Sequence, residues 1–391
     1  MTTQILLILS GTLLWAYAVD IGARRLRLPA VIPLVASGLV ANHFLHASGH
    51  GLAWLDQALP LLGTVGLILI VLEGALDLKL RADKAPAMRV AAASAVLGFI
   101  ACAVFYTLLG QWAFGLDLHD AGALAIPFAV ISSAVAIPSA RALEPEQAEF
   151  VVYESSLSDI LGVLVFFAWL DAGGHLGQFA SGLGTGGLVS LALGALLSLA
   201  LLWLLGRISG HVRFVPILAA LFFLYGVGKL LHLSPLILVL GLGLLLNNAH
   251  LLTRLGKPLG RLVAPDHDDT LVEFKGLVKE LEFAVRSLFF IMLGLWTPLS
   301  ALADPAAWLT AAVVVAVLLG VRYAVLRLLR KDVAQLLWLA PRGLITVLLI
   351  LTAIQSADLG AFPEGAVMLT VLATCLLVLL ARPRASAAPA P

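Results

Sequence analysis

The residues best placed to do chemistry lie in one apolar stretch, Tyr153-Glu154-Ser155-Ser156-Leu157-Ser158-Asp159-Ile160-Leu161-Gly162. It carries two carboxylates with the hydroxyls of Ser155 and Ser158 between them. In an apolar solvent a carboxylate is neutralised by a proton or by a small monovalent cation, and the two compete for one charge. The hydroxyls favour an oxygen-rich cation site, although serines also pack helices and bond backbone carbonyls. Counted from a cytoplasmic start near Glu149, Glu154 is ~7 Å deep and Asp159 ~15 Å deep at 1.5 Å per residue. Asp159 is thus close to the bilayer midplane and is the position assigned to the bound cation. Ser158, Ser155 and Glu154 are its candidate companions.

Few other charges are buried. Arg342, in Ala340-Pro341-Arg342-Gly343, also falls near the midplane, so a simple ion pair with Asp159 is a competing reading. Arg286 begins the membrane part of its run, and its depth matches that of Glu154. A Glu154 to Arg286 pair fastening two helices is expected, with ion ligation by Glu154 secondary. Glu73, in Leu72-Glu73-Gly74-Ala75-Leu76-Asp77, stands near the cytoplasmic end of its run, where it either faces an ion funnel or reaches the interface. Asp77 beside Lys79 and Arg81 reads as surface charge. His43, His46 and His50 have helical spacing, but no acid or cysteine completes a metal set, so they read as interfacial polar residues. Cys102 and Cys375 lie in separate apolar runs and read as small buried hydrophobes.

The elements that must hold these groups are membrane spans. The chain of 391 residues is 61% hydrophobic and 12% charged, far below the roughly 25% charged residues of soluble domains. Apolar runs of spanning length occur near 4–20, 29–45, 58–76, 90–113, 120–141, 149–170, 183–206, 213–231, 234–249, 276–298, 306–329, 333–355 and 363–381. With the N-terminus outside, all of the 24 basic residues except Lys229, Arg286 and Arg342 fall on the cytoplasmic side. This asymmetry supports an odd number of spans, an all-α membrane domain over 1–381 and a disordered cytoplasmic tail over 382–391.

Two runs are interrupted by composition. The fifth holds Pro127 and Pro138 around Ile131-Ser132-Ser133-Ala134, and the twelfth holds Pro341 and Gly343. Proline removes a donor and clashes with the preceding turn, so both runs should break near mid-membrane and free backbone carbonyls. They cross the bilayer in opposite directions, as an inverted repeat requires, with a binding site where broken helices meet. These features imply an ion-coupled secondary transporter bedded in lipid. Net charge of +1 gives no reason to expect nucleic acid, and no cofactor is called for. Intramembrane proteolysis needs two facing aspartates or a serine with a basic partner, and a channel needs a filter repeat, neither of which is present. A sodium-coupled carrier of an organic anion stays open, with Arg342 as its one cationic anchor.

The whole chain resembles the monovalent cation:proton antiporter superfamily, most closely the sodium/proton exchanger branch that includes NhaP-like proteins. The matching pieces are Arg27-Leu28-Pro29-Ala30, Leu72 to Asp77, Glu154 to Asp159, Val285-Arg286-Ser287-Leu288-Phe289-Phe290-Ile291-Met292-Leu293-Gly294 and Pro341-Arg342-Gly343. The resemblance implies the antiporter fold of about 13 helices with two crossing broken helices. It also implies a shared ion and proton site at Asp159, pairing of Glu154 with Arg286, and a homodimer whose core moves against a dimerisation domain. Two departures stand out. Ser158 replaces the branch's Asn, and Ser132-Ser133-Ala134 replaces its Thr-Asp-Pro, leaving the hydroxyls of Ser132 and Ser133 and freed carbonyls as ligands. Sodium is the first expectation, potassium or lithium the next.

Overall fold

The computed structural model describes residues 2–26, 28–47, 55–78, 84–140, 143–205, 214–230, 235–250 and 267–381. Every one of the thirteen apolar runs carries helix. The first four are α1 (Thr2–Leu26), α2 (Val31–Ala47), α3 (Leu55–Asp77) and α4 (Ala85–Phe114). The fifth is split into α5 (Leu118–Ala129) and α6 (Ser133–Ala140), and the sixth is α7 (Pro145–Asp171). The seventh is α8 (Leu176–Ser181), a π-helical turn (Gly182–Gly186) and α9 (Gly187–Leu205). Then follow α10 (Phe214–Leu230), α11 (Pro235–Asn247), α12 (His267–Trp296), the short α13 (Leu299–Ala303) and α14 (Pro305–Leu328). The twelfth run is split into α15 (Val333–Leu336) and α16 (Leu344–Ser356), and α17 (Gly365–Leu377) ends the bundle. Among the described residues six of these segments are each long and apolar enough to cross a bilayer. Their outward faces carry large apolar side chains, among them Trp15, Phe105, Trp112 and Trp308, as lipid demands.

The helices pack in two groups. In one, α4, α5, α6, α7, α14, α16 and α17 surround the two interruptions. In the other, α2 and α3 lie on α12, and α9 and α10 lie on α11, which also packs on α3. Close backbone approach fixes the second group. A side chain at Gly294 on α12 would run into the Val35 carbonyl, 2.9 Å from the Leu39 nitrogen and 3.0 Å from the Gly38 Cα on α2. Asn42 adds hydrogen bonds from its amide to the carbonyls of Leu295 and Thr297. Small residues at helix crossings supply contact where lipid removes the hydrophobic drive for association.

Some boundaries differ from the sequence reading. Helix α12 starts at His267, well before its apolar run at 276, because the amphipathic stretch Asp268 to Lys279 continues the helix beyond the membrane core. The long loop expected over about 250–272 is shortened accordingly, and 251–266 lie outside the described residues, as does the 382–391 tail. Both cysteines are buried and free. His43 is exposed on α2, while the side chains of His46 and His50 lie outside the described residues.

Replacing Gly294 with Val should lower the thermal stability of the purified protein by about 1–3 kcal/mol or more, since backbone rather than flexible side chain blocks the new group. Gly320, in α14, has nothing within 4 Å of an added Cβ. Its change to Ala should be neutral or stabilising in the same thermal unfolding measurement.

Candidate functional site

The two interruptions meet in the middle of the bundle. Residues 121–133 and 339–350 are buried without a break, so each exposed backbone group there must find a protein partner. Pro127 ends the regular bonding of α5, and Val130 turns extended with φ −78° and ψ 130°. The Ser132 N–H then donates to the Pro341 carbonyl at 2.8 Å, tying one interruption to the other. Gly343 makes the crossing possible, because a Cβ there would sit 2.5 Å from Ser132 Oγ and 2.9 Å from Ser132 Cβ. On the other side the Arg342 N–H donates to Thr374 Oγ1 at 2.9 Å, anchoring the second interruption to α17.

Helix α7 lies against this crossing through its serines and Asp159. Gly162 lets Val130 approach so closely that any side chain there would collide with it. The Ile131 N–H donates to Ser158 Oγ at 2.9 Å, and the Ser133 N–H, the first of α6, donates to Asp159 Oδ2 at 3.0 Å. Ser158, in place of an Asn, is therefore the acceptor that satisfies a backbone group freed by the break. Asp159 is 5% exposed, and its Oδ1 has no hydrogen-bond partner among the described residues. The hydroxyl of Ser133 lies beside the carboxylate. Ser155 donates its proton to its own helix at the Val151 carbonyl, 2.7 Å away, which leaves its oxygen lone pairs unused by that bond. The structure thus gathers Asp159, Ser158, Ser132 and Ser133 at the crossing, with Ser155 one turn along α7.

The remaining charges are arranged differently from the sequence reading. Glu154 does not pair with Arg286. Its carboxylate is held by Arg322 of α14 in a two-pronged bond, Nη1 to Oε1 at 3.1 Å and Nη2 to Oε2 at 3.0 Å, and Ser94 of α4 donates to Oε1. Arg322 Nε is also occupied, donating to the Leu336 carbonyl at 2.7 Å. Depth alone suggested Arg286. The face of α7 that carries Glu154 looks toward α4 and α14, whereas α12, which bears Arg286, belongs to the other helix group. Arg286 pairs instead with Glu282 one turn away, at 3.0 Å.

Sequence reasoning counted Arg322 among the cytoplasmic cations, although it is only 5% exposed. Its place seven residues inside the end of the eleventh run, ~10 Å along a helix, was the available signal. Ser94 and Thr374 left no comparable mark, and Gly343 read only as part of the break after Pro341. Nor is Arg342 the partner of Asp159. It is fully buried, donates from Nη1 to the Ala340 carbonyl at 3.3 Å, and forms no ion pair among the described residues. Glu73 is half-buried in a seam between α3 and α12, where its charged neighbours are Glu282, Asp77, Arg286 and Lys279 rather than Asp159. Asp77 is bound there to Lys279 at 3.5 Å.

The chemistry available is consequently narrow. Of the two buried carboxylates of α7, Asp159 has an oxygen without a partner among the described residues, beside hydroxyls and broken-helix backbone, and Glu154 is neutralised by a guanidinium. A proton fits the first, as does a hard monovalent cation with oxygen ligands.

A family model described as sodium/hydrogen exchanger, transmembrane, matches residues 8–383. No curated protein matches the chain. The chain is similar to the structure of the sodium proton antiporter MjNhaP1 from Methanocaldococcus jannaschii at pH 8, with 19% identity and a TM-score of 0.74 over 97% of this chain and 98% of that one. It is also similar to an electron-microscopy structure of the same antiporter, at 16% identity and a TM-score of 0.69 over 97% and 95% of the two chains. The antiporter fold is shared.

Changing Arg322 to Met strands a buried carboxylate and should cost about 3–5 kcal/mol of stability. A double-mutant cycle on thermal unfolding identifies the partner. Glu154→Gln should be coupled to Arg322→Met, and additive with Arg286→Met to within about 0.5 kcal/mol.

Proposed function

The chain belongs to the sodium/hydrogen exchanger family, and from that membership we propose that it exchanges one monovalent cation for one proton at Asp159. Sodium is the first choice of cation, with potassium or lithium next. The reading is carried by the unshared Oδ1 of Asp159, a lone acceptor held among Ser133, Ser158 and the crossing backbone. A cation arriving from one side displaces the proton, one helix group shifts against the other, and the emptied carboxylate takes a proton from the second side. Each loaded form is neutral at the carboxylate. With Glu154 already neutralised by Arg322, one charge moves each way and the cycle is electroneutral.

Cation selectivity is assigned to the oxygens around Asp159. Where the branch has an acid on the fifth span, this chain has Ser133, whose N–H is committed to Asp159 and whose hydroxyl adds an uncharged ligand. The site thus holds a single negative charge, which suits a monovalent ion. A carrier of organic anions is poorly supported, because its anchor would be Arg342. That residue is fully buried, and the cavity it lines with Ser94, Cys102, Glu154 and Arg322 measures about 20 Å³, enough for water-sized occupants only. We place the protein in the cell membrane as a homodimer, with the N-terminus outside and the C-terminus cytoplasmic, on the strength of the basic-residue asymmetry and the family resemblance.

Proteoliposomes with a pH-sensitive dye test the reading. Sodium added to acid-loaded vesicles should release protons with no organic substrate present, and Asp159→Asn should abolish the release. Membrane potential alone should not drive exchange; uphill exchange powered by voltage would refute the one-for-one cycle. Acidifying the cation side should weaken apparent sodium affinity about tenfold per pH unit once the proton dominates the carboxylate, as direct competition requires.

A further inference from the structure

We infer that the π-helical turn at Gly182–Gly186 is the hinge on which the helix group containing Asp159 moves. This rests on the alternating-access exchange proposed above and adds the place where the chain bends. Two described segments carry the chain between the helix groups: the seventh run, from α7 to α9, and the stretch around Pro298, from α12 to α14.

The seventh run is fastened on either side of the turn. Before it, Phe179 packs edge-to-face on Trp169 of α7 with ring centroids 5.3 Å apart. Trp169 is itself fixed to the start of α5, donating from Nε1 to the His119 carbonyl at 2.9 Å and closing over Gly122. After the turn, a Cβ added at Gly187 would lie 3.8 Å from Ile237 Cδ1 and one added at Gly194 would lie 3.1 Å from the Leu238 Cα, so the chain here runs close against α11 of the other group. Seven residues, 180–186, lie between those attachments, and five of them are the turn. There the Gly187 N–H reaches back to the Gly182 carbonyl in the wide π pattern, which interrupts regular helical bonding and marks places where helices bend. Gly182 and Gly184 have nothing within 4 Å of an added Cβ and no positive φ. Neither packing nor a left-handed turn calls for glycine at these two positions, and what they supply is backbone freedom in a helix.

The stretch at Pro298 is built on the same plan. Asn42 of α2 holds the Leu295 and Thr297 carbonyls on one side, while on the other the Ala301 carbonyl is packed under Gly365 of α17.

The test uses full-length protein carrying G182A and G184A together, with G226A as control, since Gly226 is an equally open glycine within α10. Exchange is measured in proteoliposomes. Core-to-scaffold distances are measured in nanodiscs by pulsed electron resonance between labels at L108C on α4 and F223C on α10, both exposed. The double variant should turn over several-fold more slowly with an unchanged half-saturating sodium concentration, equal or higher thermal stability, and a distance distribution narrowed to one population. Wild type should show two populations, and G226A should match wild type in every readout. Unchanged turnover with an unchanged distribution in the double variant would overturn the hinge, as would equal slowing by G226A. Absence of exchange in wild type would fault the antiport reading, and the distance distributions would then decide the hinge without it.

Discussion

The structure depends on a constraint of the bilayer: where two helices are interrupted in its middle, no water is available to satisfy the freed backbone groups. The crossing meets this constraint with protein partners. One interruption bonds the other through the Ser132 N–H and the Pro341 carbonyl. The Ile131 and Ser133 N–H groups turn to α7, and the Arg342 N–H turns to Thr374. Two of these acceptors are Ser158 and Asp159, so the residues that complete the fold are also those of the proposed site. In the proposed exchange, binding chemistry and backbone satisfaction are one arrangement, and a cation would meet oxygens already held in place.

Two carboxylates five residues apart on α7 have separate fates because they face different neighbours. Glu154 looks toward α4 and α14, where Arg322 and Ser94 consume its acceptor capacity. Asp159 looks toward the crossing, where one backbone donor takes one oxygen and leaves the other open. Removing a partner from a buried pair costs far more than the pair contributes, which makes Glu154 a structural charge. The open carboxylate costs free energy while ionised, and that cost is what a proton or a cation relieves.

Much of this was legible in the sequence because membrane spans and their interruptions are written in composition. The thirteen apolar runs, the breaks at Pro127 and Pro341 and the depth of Asp159 follow from hydropathy, proline chemistry and helical rise. Partner identity is a different kind of information. Arg286 and Arg322 lie at similar depth, and choosing between them requires knowing which helix each face of α7 meets, a tertiary fact that periodicity does not contain. Arg322 was also hidden by its own position near a span end, where a cation ordinarily marks the cytoplasmic surface. Glu73 kept two readings for the same reason, and the seam with α12 supplies a third set of neighbours. The close approach of Gly343 to Ser132 is invisible in sequence, since one glycine beside a proline reads simply as a break.

Competition for one oxygen at Asp159 has a direct thermodynamic signature that does not require transport. Sodium added to purified protein in weakly buffered detergent, at a pH where the carboxylate is protonated, should release one proton per bound ion, and titration calorimetry in two buffers of different ionisation heat counts it. One proton per sodium in wild type and none in Asp159→Asn is the expected result. Sodium binding without proton release in wild type, or release that persists in the variant, would contradict a shared site at Asp159.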